Sequence, residues 1–298
     1  MIFRPFNYSD NDYQTWADIA NTIHPDYPQS IEQAKHVVET LGKDEILESF
    51  IIEKNGKAVG WLQYETPRNP VTGALAIHLE LLPEYRKHVD QAWEFLQERV
   101  RPLKPTSLIT VVTETWWEHD FYKSLGFKVY DSMWASTLDL TTFDPKPFDV
   151  YLEKSKEVGI EVKTLAQFPH HEDAFRRKWY ALVVELLQNV PSATPFIPWP
   201  YETWLARAVH DSDLLPEGSF FALHNNEFVG LSQLWKSSRP NTLQTGLTGV
   251  KQSYRRKGIA QTLKIKAALF AKDYGVQFVR TNNHQINRPM LNINEAMG

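Results

Sequence analysis

Three cations, Arg255, Arg256 and Lys257, stand directly before Gly258 in the segment VKQSYRRKGIA at 250–260. A strand-like run, LQTGLTGV at 243–250, leads into it. Beyond it Ile259, Leu263, Ile265, Ala267, Ala268, Leu269 and Ala271 recur at roughly helical spacing, which predicts a long helix opening at Ile259. A helix start leaves N–H groups without intrahelical partners, and its dipole favours negative charge. A glycine there lets a bulky anion approach the main chain. With the three cations beside it, this is the chemistry of a pyrophosphate cradle. Thiol chemistry is absent: the chain has no cysteine, hence no disulfide, thiolate metal site or cysteine nucleophile.

The stretch resembles the R-x-x-G-x-A signature of the GCN5-related N-acetyltransferases, the GNAT family. Arg255, Gly258 and Ala260 match it, and Val250 and Tyr254 fit the wider frame. Gln252 stands where the family often has proline. In that family the loop holds the pyrophosphate of acetyl-CoA, the co-substrate. The resemblance therefore implies Arg255, Arg256, Lys257, Gly258, Ile259 and Ala260 as coenzyme ligands. It also implies Thr248, Gly249 and Val250 on the strand along which the pantetheine arm lies. Downstream, strand-like VQFVRT at 276–281 precedes a segment in which Pro289 suits the first turn of a helix and Gly298 its end. This resembles the second family motif, with Asn287 matching the asparagine that hydrogen-bonds the coenzyme. Asn294 sits where many members carry a tyrosine that protonates the departing thiolate. An amide has no titratable proton near neutral pH.

The pattern occurs twice. A hairpin at 50–60 with Asn55-Gly56 mirrors one at 220–230 with Asn225-Asn226, and Tyr85-Arg86 mirrors Tyr254-Arg255. FYKSLGF at 121–127 is close to the family's helix-end motif. The pairs Gly60/Gly230, Arg86/Arg255 and Gly126/Gly298 are 170, 169 and 172 residues apart, a registry that points to two copies of one domain. The copies differ where chemistry would be. After Arg86, Val89 replaces the glycine and Gln91 the small residue, and Asp90 adds a negative charge. The first copy keeps Tyr122 but has Thr115 at the asparagine position.

The expected fold is α+β, two tandem GNAT-like domains, each a mixed, mostly antiparallel sheet flanked by helices. A degenerate domain at 1–140 is structural or shapes the substrate. A linker at 141–159 is interrupted by Pro145 and Pro147, and a coenzyme-binding domain follows at 160–298. The first half continues past Gly126 to Leu140 as a further strand or strand pair. The second stops at Gly298 without one, so either the sequence is cut short there, the preferred reading, or a neighbour fills the gap. Four prolines make 189–200 a stiff loop. Phe196, Trp199, Tyr201 and Trp204 either line an acceptor pocket or pack as core, and Trp116 and Trp117 carry the same two readings.

The resemblance implies direct transfer of an acetyl group from acetyl-CoA to the amine of a small molecule in the C-terminal half. Glu185, Glu202 and His284 are the candidate bases for an ammonium acceptor; each also reads as an ordinary surface or capping residue. Two other readings stand beside this one: a coenzyme-binding sensor or scaffold without turnover, and a transferase for a different acyl-CoA. A net charge of −4 gives no reason to expect nucleic acid or an anionic membrane as partner. No apolar run reaches the ~18–20 residues of a spanning helix, so a cytoplasmic enzyme is expected. No metal is expected.

Overall fold

Each half is organised around a hairpin set by its turn residues. Asn55 and Gly56 adopt φ of 52° and 74°, and Asn225 and Asn226 adopt 50° and 65°. Positive φ at both central positions matches the twist of the flanking strands, and these residue types tolerate it. The computed structural model describes residues 1–67, 71–192 and 196–298. The chain divides into two units, Met1–Val129 and Tyr130–Gly298.

The first unit contains β1 (Ile2–Pro5), α1 (Asp10–Ile23), α2 (Ile31–Glu39), β2 (Leu47–Lys54), β3 (Lys57–Glu65), β4 (Ala74–Leu81), α3 (Val89–Val100), β5 (Ser107–Ile109) and α4 (Trp117–Ser124). Its sheet runs β1-β2-β3-β4-β5, antiparallel except for β4 with β5. Successive strand residues point to opposite faces. Ile52 and Leu62 accordingly join the core with Leu96 of α3, while Ile51 and Trp61 pack with Ile19 of α1.

The second unit contains β6 (Met133–Asp139), α5 (Asp149–Glu157), β7 (Ile160–Thr164), α6 (Asp173–Gln188), α7 (Tyr201–Trp204), β8 (Phe220–His224), β9 (Glu227–Lys236), β10 (Thr242–Val250), α8 (Ile259–Asp273), β11 (Phe278–His284) and α9 (Arg288–Met297). Its sheet runs β7-β8-β9-β10-β11-β6, with β10 and β11 the parallel pair. Phe220, Ala222 and Val229 face the core of α8, whereas Phe221, Leu223 and Leu231 face that of α6. The chain is thus an α+β protein with the same strand order repeated in two mixed sheets.

Two segments differ from expectation. The strand expected to finish the first half is β6, and it pairs antiparallel with β11 from Met133↔His284 to Asp139↔Phe278. It fills the edge that looked bare from the sequence of the second half alone, and it places the divide at 129/130 rather than within 141–159. That stretch is not a free linker either. Its helix α5 packs on α8, where the Thr262 hydroxyl donates to the Tyr151 carbonyl at 2.9 Å and meets the Ser155 hydroxyl at 2.8 Å. Pro145 and Pro147 sit just ahead of α5, where missing N–H groups cost little. Within the expected proline loop, Ala193, Thr194 and Pro195 lie outside the described residues.

Candidate functional site

The cradle is built by the passage from β10 into α8. Arg255 is extended, Arg256 has φ 64° and Gly258 φ 78°, so two left-handed residues two apart turn the main chain into the helix. Gly258 is needed for a reason other than room for an anion. A Cβ there would lie 3.1 Å from the Tyr151 carbonyl oxygen, against helix α5, in a conformation that side chains disfavour. Valine at 258 would therefore disturb the fold as well as any ligand. Among the described residues, the main-chain N–H groups of 256–261 find no acceptor within the protein. Six consecutive free donors at the positive end of a 15-residue helix fit a pyrophosphate. The cations have settled positions. Arg255 donates to the carbonyls of Val250 at 3.3 Å and Asn189 at 3.5 Å, and Lys257 lies over the Tyr254 ring at 4.8 Å. Arg256 is exposed.

Leading to the cradle, β10 carries a bulge. Thr245 pairs with Leu234 but Thr248 with Ser232, leaving Gly246 and Leu247 opposite Gln233. A Cβ on Gly246 would lie 2.5 Å from the Trp235 indole nitrogen, which explains the glycine. On its other side β10 pairs with β11 only over 242–244. From Thr245 onward it keeps a strand partner on one side alone, so the far edge offers amide donors and acceptors to an extended ligand. Below the opening, a cavity of about 30 Å³ is bounded by β6, β9, β10, β11, α8 and α9.

Thr248, Gly249 and Val250 lie on this strand. The Thr248 hydroxyl meets that of Ser232 at 2.8 Å, Gly249 packs against Leu186 of α6, and Val250 is buried in the core. Ile259 is buried and Ala260 half-buried in the first turn of α8. Asn287 is the N-cap of α9, and its side chain makes no capping bond. The candidate bases do not converge. Glu185 and Lys251 pair at 3.3 Å, His284 and Asp131 at 2.9 Å, and Glu202 is exposed on α7; none lines the cavity. The aromatic residues after the proline loop pack as core: Trp204 stands edge-on to Trp179 at 5.0 Å, Tyr201 donates to Asp173, and Tyr180 donates to the Trp199 carbonyl. Phe196 is half-buried.

Sequence reasoning missed two features, the bulge and Lys264. The cavity is lined by Lys264 together with Ala267, Ala268 and Asn294. The signal was present, since Lys264 falls three and four residues before Ala267 and Ala268, on the buried stripe of α8.

The corresponding places in the first unit are built differently. β4 pairs with β3 without a bulge, and Val89, right-handed, packs on the core. Arg86 lies over the Trp117 ring at 5.0 Å. The first unit also holds a buried polar cluster of its own. His24 Nε2 and Glu118 Oε1 lie 3.0 Å apart, Trp116 stacks on His24 at 3.6 Å, and Trp61 donates to Glu80 at 3.0 Å. Burial raises the Glu80 carboxyl, and burial also pushes the Tyr122 phenol well up.

Among the described residues, no group of three or more His, Cys, Asp or Glu could hold a metal ion, and no helix is long and apolar enough to cross a membrane. Residues 182–293 match the family described as "Acetyltransferase (GNAT) family". No curated protein matches the sequence. Among solved structures the chain is similar to a tandem GNAT protein from the clavulanic acid biosynthesis pathway, at 17% identity and a TM-score of 0.74 over 100% of this chain and 94% of that one. It is similar to a GCN5-related N-acetyltransferase from Sphaerobacter thermophilus at 18% identity and 0.64, over 95% and 86%. It is also similar to a GNAT-family acetyltransferase from Colwellia psychrerythraea at 11% and 0.59, over 100% and 95%. At these identities the structural likeness is one of fold.

Proposed function

The C-terminal region carries a domain of the GNAT family, which makes the chain an acyltransferase, and from that premise we propose that it moves an acetyl group from acetyl-CoA directly to the amine of a small molecule. The chemistry is assigned to the second unit, Tyr130–Gly298. The observation that carries this is the row of unpartnered N–H groups at 256–261, backed by the bulged, one-sided strand β10. The pyrophosphate is received at the start of α8, with Arg256 and Lys257 supplying charge, and Asn287 offers a free amide across the opening. The pantetheine arm pairs with the open edge of β10, and a main-chain N–H there polarises the thioester carbonyl. The acceptor enters as a free amine, since neither Glu185, paired with Lys251, nor His284, hydrogen-bonded to Asp131, lines the cavity. In the first unit β4 pairs with β3 without a bulge and Val89 is right-handed where the cradle glycine would stand, so this unit is assigned no coenzyme.

One observation favours a second reading, a domain that binds coenzyme without turnover: Asn294 supplies no acid where the family commonly has a phenol. Calorimetric titration of the intact protein with acetyl-CoA tests the first step. One site per chain with micromolar affinity is expected, and absence of binding refutes the assignment. Turnover across an amine panel then separates enzyme from sensor, and competition with longer acyl-CoAs tests the donor.

A further inference from the structure

Among the described residues, Lys264 is the one titratable side chain that lines the cavity beneath the β10–β11 opening. The polar side chains around it are the hydroxyls of Ser136, Thr137, Ser232, Thr245 and Thr281 and the amide of Asn294. Among the described residues, Lys264 makes no ion pair and no hydrogen bond with the protein. It is half-buried as a residue, yet protein surrounds its ammonium and no acid offsets the lost hydration, so its pKa is pushed down to about 8. A second polar group of the cavity also lacks a partner. Asn294 is 8% exposed, its amide nitrogen donates to Asn283 at 2.8 Å, and its Oδ1 is buried without a donor. Buried polar groups are ordinarily satisfied, so a cation and an acceptor left open in one cavity mark a place where polar atoms of a ligand are received.

We propose that Lys264 is the general acid of the transfer, giving its proton to the coenzyme sulfur in place of the phenol that Asn294 does not supply. This rests on the reading that the pantetheine arm follows β10. The cavity that Lys264 lines also touches that strand at Thr245, the residue before the bulge, where the open edge begins. The acceptor nitrogen bonds to the carbonyl carbon, the C–S bond breaks, and sulfur keeps the electron pair. The Lys264 ammonium passes one proton to sulfur, which leaves as the CoA thiol, and Lys264 becomes a neutral amine. The surplus proton of the attacking nitrogen goes to water, and Lys264 regains one from water. An ammonium whose pKa burial has lowered gives up its proton more readily than an ordinary lysine, as a general acid must.

The same contact would stabilise the thiolate of free CoA, which allows a test without an acceptor. CoA is titrated from about pH 6 to 10 while bound to the intact protein, with the thiolate read by its ultraviolet absorbance and binding checked by calorimetry. In the wild-type protein, the bound thiolate-to-thiol ratio is expected to exceed that of free CoA by about tenfold at a given pH. Lys264→Met should abolish the excess and Lys264→Arg, still a cation, should keep it; Lys264→Gln serves if the methionine variant does not fold. CoA that binds with an unshifted thiol, or a shift that survives in Lys264→Met, overturns the role of Lys264 and leaves the coenzyme site standing. Failure of CoA to bind overturns both.

Discussion

Replacing Lys264 with methionine should stabilise the protein at neutral pH and cease to do so in alkali. Methionine keeps a long flexible stem and removes the charge. The folded chain holds the Lys264 ammonium at a pKa of about 8, against 10.5 for an ordinary lysine. Below about pH 8 both states carry the proton, and the folded state bears the full penalty, at most about 3 kcal/mol. Between about pH 8 and 10.5 the unfolded chain binds a proton that the folded chain has released, so wild-type stability rises with pH on account of this group. Above that window the penalty is gone. Urea denaturation of both proteins at about pH 7, 9 and 10.5 checks this. Lys264→Met should lead by up to about 3 kcal/mol at the lowest pH, with the gap closing towards the highest. A gap of constant size, or a less stable variant at neutral pH, would refute the claim that Lys264 is held as an uncompensated cation.

Gly258→Ala and Gly275→Ala both place alanine at positive φ, 78° and 91°, for about 1–2 kcal/mol each in urea denaturation. Only position 258 also crowds the Tyr151 carbonyl, as nothing lies within 4 Å of a Cβ at 275. Gly258→Ala should weaken CoA about tenfold by calorimetry while Gly275→Ala leaves it unchanged; equal affinities would argue against the cradle. Glu118→Ala strips the buried His24 of its hydrogen-bond partner and should cost about 1–3 kcal/mol in urea denaturation, whereas no measurable loss would show that the contact adds nothing to stability.

Much of the fold was legible because it rests on local chemistry. Asn-Gly and Asn-Asn set the two hairpins, and the apolar spacing after Gly258 set α8. The repeat offset disclosed the second copy. What escaped was decided by tertiary contacts. Nothing near Trp134 says which sheet β6 joins, since either partner satisfies its main chain. The bulge depends on Trp235 lying over Gly246, a contact between two strands. Gly258 was read as leaving room for an anion, whereas the space beside it is taken by Tyr151 of α5, which lay in the expected linker. The surroundings of two candidate bases were hidden for a similar reason: Glu185 and His284 meet Lys251 and Asp131, which come from other parts of the chain.

The position of β6 bears on how the second sheet is made. The strand that closes it precedes every other strand of that sheet in the chain, so it is synthesised first and β11 last. When β11 emerges, the partner for its outer edge already exists on the same polypeptide. A fragment cut at the sequence-based boundary, beginning at residue 141, would carry the whole cradle and lack that partner. Its β11 would then present an unpaired edge, the kind of template on which separate chains add to one another. Dissecting the two halves therefore requires a cut ahead of Met133, so that the closing strand travels with the sheet it completes.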